Sequence, residues 1–333
     1  MRSPAERSPE GATLRARLRN VLSRSTYLGI PPPPPAFRPF GVSAMLIAKN
    51  EAEWAESSLL SILNFVDDVV VADHGSEDGT REILESLVAE HPGRIRFLAL
   101  GDVPFHDALN ATLAACSHSW ILRFNLDFIA RTSGPLSIAR LVERLRGLDR
   151  RRYYCISLSG IALDGDLHHQ FPNRRDPYEP LVFTYSPWLR YGVKGRFETL
   201  QVPWFYEKLA MSQAYHFHMR SVKSLHRMLQ KFYWSHWYDG RNKGSATSLR
   251  DFIAENALRE FGGSTVEEAA KNFILLEFAG CVPFSEDLCG DYPDILRPAL
   301  LDPPFRLVFR EGKLVDRLES RRYRPAFVPE GSS

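Results

Sequence analysis

From Gly41 onward, apolar runs and helical stripes alternate along the chain. GVSAMLIAK (41–49) is a continuous apolar run suited to a strand covered on both faces, and EAEWAESSLLSILNF (51–65) spaces its apolar residues as a helix does. DDVVVAD (67–73), RIRFLAL (94–100) and WILRFN (120–125) predict further strands, separated by helices over DGTREILESLVAEH (78–91) and FHDALNATLAAC (105–116). This alternation implies an α/β chain with a Rossmann-like, doubly wound, mostly parallel sheet, whose ligands lie at the carboxyl ends of the strands. Beyond about residue 150 the pattern loosens. YYCISLSGIAL (153–163) and LVFTY (181–185) read as strands, separated by the polar loop GDLHHQFPNRRDPYEP, which is long enough for a flap facing a second substrate. Residues 222–280 read as mostly helical.

Three regions emerge: a basic leader and polyproline linker (1–39), a sheet domain (40–235) and a mostly helical C-terminal extension (236–333). Residues 1–29 hold six arginines against two glutamates, and Pro31 to Pro35 form a stiff spacer. Within residues 12–24, Leu14, Leu18, Val21 and Leu22 make one apolar stripe beside Arg15, Arg17 and Arg19. Such a stripe suits an anionic membrane surface, and equally a short helix packed on its own domain or a disordered tail.

Composition narrows the classes. The 333 residues are 44% hydrophobic, enough for one large domain with an appendage, and the formal charge of +2 shows no sign of a nucleic-acid partner. Cys116, Cys155, Cys281 and Cys289 have neither zinc-site nor redox-pair spacing, which points to a reducing compartment. With no apolar run of membrane-spanning length and no apolar secretory core, the expectation is a cytoplasmic protein, with peripheral contact at the inner face of the membrane through the leader.

Polar clusters stand where three of the apolar strands run out: Asn50-Glu51, Asp73 with Ser76 and Asp78, and Asn125 with Asp127. Asp73 can accept hydrogen bonds from a base N–H or a ribose hydroxyl. The same residue types also serve as turns and helix N-caps, and NLD is also an ordinary strand end.

Taken in register, VSAMLIAKNEAEW, VDDVVVADHGSEDGT and NLD resemble family-2-type glycosyltransferases of the GT-A fold, over roughly residues 41–130 with a weaker echo to about 235. The resemblance implies an enzyme, of hexosyltransferase type, moving a sugar from a nucleotide-diphosphate donor, a UDP-sugar, to an acceptor hydroxyl with inversion. The acceptor is left open among a carbohydrate, a lipid-linked and a natural-product molecule. Asn50, Glu51, Asp73, Ser76 and Asp78 would hold the nucleoside. Asp127 corresponds to the metal-contacting second aspartate of the family's Asp-x-Asp, for Mn²⁺ or Mg²⁺, while the first is Asn125, an amide that offers a ribose hydroxyl an acceptor and a donor but no charge.

HFHMRSVKSL (216–225) resembles a late His-x-x-x-Arg-Ser segment of related sugar transferases, which makes His216, ahead of His218, the further metal ligand. Arg220 and Lys223 then approach the diphosphate. Glu198, in GVKGRFETL, stands where related enzymes carry the acceptor-activating base, with Asp176 and Glu179 as alternatives. Trp188, Tyr191, Trp204, Phe205, Tyr206, Trp234 and Trp237 suit either a sugar-stacking platform or core packing. Two other classes stay open: a catalytically silent nucleotide-sugar-binding or scaffold protein, favoured by Asn125, by Phe128 and by Phe197 in place of a histidine, and a sugar nucleotidyltransferase, disfavoured because AKNEAEW is no Gly-rich phosphate loop.

Overall fold

The computed structural model describes residues 38–172, 175–195, 197–242 and 247–320. Four neighbouring strands run parallel and make one side of the main sheet: β1 (Val42–Ala48), β2 (Asp68–Asp73), β3 (Ile95–Ala99) and β4 (Trp120–Arg123). Register puts Ala48 beside Asp73 and Asp73 beside Ala99, so the carboxyl ends of three strands finish level. Beyond β4 lie β9 (Glu179–Thr184), antiparallel to its neighbours, then β6 (Tyr153–Leu158) and β12 (Tyr206–Met211), giving the order β12-β6-β9-β4-β1-β2-β3. This is a mixed α/β architecture with a mostly parallel sheet and a helical C-terminal region.

Alternation along β1 explains how the sheet is clad on both faces. Val42, Ala44, Leu46 and Ala48 face one core, with Leu59 and Ile62 of α1 (Ala55–Leu63), Leu84 and Leu87 of α2 (Thr80–Glu90) and Leu141 of α4 (Ile138–Arg146). Met45 faces the other, with Leu109 and Leu113 of α3 (Phe105–Ala115) and with Tyr191 and Leu200 of the hairpin β10 (Arg190–Lys194) and β11 (Phe197–Gln201). Each fully buried leucine or isoleucine contributes about 1.5–3 kcal/mol, so these two layers hold the strand ends rigid.

The predicted strand over 153–163 is broken at Ser159-Gly160 into β6 and β7 (Ile161–Ala162). β7 joins β13 (His216–His218), which pairs on its other side with β5 (Phe128–Ala130), so a second small sheet runs in the order β5-β13-β7. The boundary expected at residue 235 falls inside α5 (Leu225–Asn242). The C-terminal elements, α6 (Leu249–Phe261), α7 (Val266–Glu277) and the hairpin β15 (Phe305–Arg310) and β16 (Lys313–Glu319), are tied back to the sheet domain. β14 (Val282–Pro283) pairs with β8 (His169–Gln170), Leu307 N donates to Asp166 Oδ2 at 2.7 Å, and Leu225 N donates to Glu319 Oε1 at 2.7 Å. The stripe at 12–24 lies outside the described residues, among which no helix is long and apolar enough to cross a membrane.

Candidate functional site

Two polar constellations occupy the carboxyl edge of the sheet. In the first, the loops after β1 and β2 are stitched together. Asn50 sits in the left-handed region at φ 57°, which turns its side chain so that Oδ1 accepts from Glu77 N at 2.7 Å while its own N donates to Ser76 Oγ at 2.9 Å. Glu51 N donates to Thr80 Oγ1 at 2.7 Å, and Ala52 N donates to Asp78 Oδ2 at 3.2 Å. Asp73, buried at the end of β2, accepts from Ser76 N at 3.1 Å and from Gly75 N at 3.2 Å. Asp73, Ser76 and Asp78 therefore shape the loop, and α2 begins at Gly79 without a side-chain cap.

The second constellation is charged. After β4 the chain turns through Asn125-Leu126-Asp127, with Phe128 N donating to Asn125 O at 2.9 Å, and the buried Asp127 carboxylate faces the start of α5. Its Oδ2 receives Lys231 Nζ at 2.9 Å, Lys223 Nζ at 3.2 Å and His218 Nε2 at 3.2 Å. Lys223 also pairs with Glu51 Oε2, and Arg227 bridges Glu51 Oε1 at 3.3 Å and Lys49 O at 2.5 Å. Trp54 Nε1 donates to Val222 O at 2.5 Å and Ser224 N donates to Glu53 Oε1 at 2.7 Å, which pins the entry to α5 against the β1–α1 loop.

Burial opposes ionisation of Asp127, yet Lys223, Lys231 and His218 outweigh it and hold the carboxyl well below its usual range. Burial likewise penalises the Lys223 ammonium and the His218 imidazolium. Asp127 with Glu51 in the first case, and with Asp176 in the second, outweigh that penalty and raise both pKa values.

Asp176, one of the alternative acids, is drawn into this cluster: its Oδ2 meets His218 Nδ1 at 2.9 Å. His216 shares a face with His218 but stacks on Phe128 at 4.3 Å between centroids, and burial pushes its pKa down to about 4. A Cβ at Gly160 would strike the His216 ring, so only glycine lets that strand pass there. Burial opposes ionisation of Asp176, yet His218 outweighs it and lowers the pKa, with a smaller contribution from Arg220, whose carbonyl accepts from Lys231 Nζ at 3.4 Å. Asn125 is half-buried, and its carbonyl accepts from Ser58 Oγ at 3.1 Å. Glu198 lies on β11 opposite Val193 of β10, and Glu179 opens β9.

Tyr191 belongs to the core between sheet and hairpin. Trp188, Trp204, Phe205 and Tyr206 gather where β6 and β12 begin, with Tyr206 in register with Tyr153, which is the end of the sheet away from Asp73 and Asp127. Trp234 and Trp237, by contrast, sit on α5 just past Lys231.

A divalent ion does not fit this donor set. No group of three or more His, Cys, Asp or Glu side chains is arranged to hold a metal among the described residues. The one carboxylate of NLD is already opposed by two ammonium groups, and the imidazole beside it is bonded through its second nitrogen to Asp176. An added dication at Asp127 would meet both lysines at close range.

Sequence reasoning missed Lys231 and Arg227. A signal was present: Lys223, Arg227 and Lys231 recur at i, i+4 and i+8, one face of an incipient helix.

Residues 43–154 match the family model described as Glycosyl transferase family 2. Two relatives, each called "Uncharacterized glycosyltransferase", from Rickettsia bellii (strain RML369-C) and Rickettsia felis (strain ATCC VR-1525 / URRWXCal2), are 34% identical over 86 residues, 26% of this chain. The chain spans 27% and 28% of their lengths. Among solved structures, the mannosyltransferase PcManGT from Pyrobaculum calidifontis in complex with GDP-Man and Mn2+ is similar over 88% of each chain, at 16% identity and a TM-score of 0.38. S. aureus TarS 1-349 in complex with UDP-GlcNAc is similar over 85% of this chain and 98% of its own, at 14% identity and a TM-score of 0.38.

Proposed function

We propose that this protein is a glycosyltransferase that takes a sugar from a nucleotide-diphosphate donor, a UDP-sugar by the resemblance of its strand-end motifs, and passes it to an acceptor hydroxyl with inversion. The observation that carries this reading is the pairing of the family-2 match over residues 43–154 with a strand-end site where Glu51 and Asp127 meet cations, beside Asp73, at the carboxyl edge of a doubly wound sheet.

In this reading the β1–α1 and β2–α2 loops receive the nucleoside, with Asp73 as acceptor for base or ribose and Asn50, Ser76 and Asp78 setting the loop shape. Glu51 and Asp127 act through the cations they hold, and Arg220 stands at the same edge. Glu198 is the proposed base that takes the acceptor's proton. A carbohydrate hydroxyl is the proposed acceptor, with Trp234 and Trp237 as the platform on the site's side of the molecule.

One observation favours a second reading. Two ammonium groups on Asp127 are also what a nucleotide-sugar-binding protein without turnover would tolerate, because such a protein needs no leaving-group chemistry.

A thermal-shift panel of nucleoside diphosphates and nucleotide sugars tests the proposal, since binding to the native state raises apparent stability by mass action. At least one of them should stabilise the parent, and Asp73→Ala, verified as folded by circular dichroism, should weaken that ligand by roughly 10–100-fold through loss of a charged hydrogen bond. No stabilisation by any member of the panel, or an unchanged affinity in Asp73→Ala, would remove the nucleotide from this site.

A further inference from the structure

We infer that side-chain cations, Lys231 foremost with Lys223 and Arg227 behind it, take the place of a divalent ion in neutralising the donor's diphosphate, so that nucleotide binding and transfer need no metal. This rests on the nucleotide-sugar reading above and deepens it.

Three observations converge. First, the ammonium groups stand where an ion would have to stand: Lys223 and Lys231 lie 3.2 and 2.9 Å from the same oxygen of Asp127. Second, the two lysines are not equivalent. Lys223 has no exposed side-chain surface and is pinned between Glu51 and Asp127, whereas 41% of the Lys231 side chain is exposed, so Lys231 can swing from Asp127 to an incoming phosphate without unburying itself. Third, the face that Lys223, Arg227 and Lys231 share has spare donor capacity. Arg227 Nε is buried with no hydrogen-bond partner, although the rest of the guanidinium is engaged, one terminal nitrogen by Glu51 and Lys49 and the other by Gln230 at 3.4 Å.

The charge balance points the same way. The cluster holds four carboxylates, Glu51, Glu53, Asp127 and Asp176, against Lys223, Arg227, Lys231, Arg220 beside Asp176, and a His218 whose protonated form Asp127 and Asp176 favour. It is balanced or slightly positive before any ligand arrives, which suits an anion and disfavours a dication. The amide at Asn125 fits this balance, because a second carboxylate there would compete with the diphosphate for the lysines.

In the transfer step the acceptor oxygen bonds to the anomeric carbon, and the bond from that carbon to the terminal phosphate oxygen breaks. Both electrons of that bond stay on the departing nucleoside diphosphate, where Lys231 meets the new charge, and the acceptor's proton passes to the base, proposed as Glu198. Lys223 is a positioning residue: it holds Asp127 and Glu51 in place so that Lys231 is presented at the mouth of the site.

Calorimetric titration with UDP and with GDP, each in excess EDTA and again in saturating Mn²⁺, tests the inference. At least one of the two should bind the parent equally well, within about twofold, in both conditions, because losing Mn²⁺ removes no partner. Lys231→Met should weaken that binding by roughly 10–100-fold in both conditions, and Lys231→Arg should restore most of it. Binding seen only with Mn²⁺, or left unchanged by Lys231→Met, overturns the inference while sparing the nucleotide site. Failure of both nucleotides in both conditions overturns the inference together with the reading beneath it.

Discussion

The two constellations at the sheet edge are built on opposite principles. The loops after β1 and β2 are joined by neutral or singly charged hydrogen bonds between residues 26–29 positions apart, such as Asn50 with Ser76 and Glu51 with Thr80. The Asp127 cluster joins residues 42–176 positions apart and is almost wholly ionic: Asp176 with His218, Asp127 with His218, and Glu51 with Lys223 and Arg227. The first is local geometry that two neighbouring βα units impose on each other. The second exists only because β13 and α5 return to the sheet, so it depends on the whole domain being folded. Each bond of the first is worth about 0.5–1.5 kcal/mol and can be lost singly, whereas a buried ion that loses its partner is left uncompensated.

Lys223→Met should expose that difference most sharply. It leaves Asp127 and Glu51 short of a cation in a buried site, and breaking such a pair from one side costs about 3–5 kcal/mol. Urea denaturation followed by circular dichroism measures it. A loss below about 1 kcal/mol would mean that the cluster behaves as an exposed pair does.

The wall of the same cluster gives a smaller, pH-dependent effect. His216 is buried beside Phe128 with its pKa lowered to about 4, so its neutral form is the one that the fold accommodates. Its folded-state value lies below the unfolded one, near 6.5, and the unfolded state therefore binds protons first as pH falls. The stability at stake is present above pH 6.5 and is lost progressively down to about pH 4, by about 3 kcal/mol at most. His216→Phe should flatten the stability profile of the protein across that window. A profile with the same acid slope in parent and variant would assign the acid sensitivity to other groups.

The unequal legibility of the two clusters has the same physical origin. β1 to β4 and the first three helices are read from periodicity within a residue or two, apart from the late start of α1 at Ala55, because their burial on both faces leaves continuous apolar runs. The strand-end residues Asn50, Asp73 and Ser76 are equally visible, since short-range loops announce themselves by composition. Asp127 is visible as a polar stop after an apolar run, but nothing around it in sequence says what faces it. That partner set comes from α5 and its approach, where Lys223, Arg227 and Lys231 look like the ordinary solvated face of an amphipathic helix. The choice between His216 and His218 is likewise open in the sequence, because strand alternation places both on one face and only the fold shows which of them meets Asp127.

Glycosyl transfer from a nucleotide sugar at this edge of the sheet, with Asp127 at its centre, is tested most directly by release of nucleoside diphosphate from a panel of nucleotide sugars, measured for the parent and for Asp127→Asn. The parent should turn over at least one donor. The variant, verified as folded, should be slower by roughly 100-fold or more, because neutralising Asp127 frees the lysines from the geometry that presents them to the leaving group. Binding of a donor by the parent with no nucleotide released, or equal rates for parent and variant, would contradict glycosyl transfer at this site.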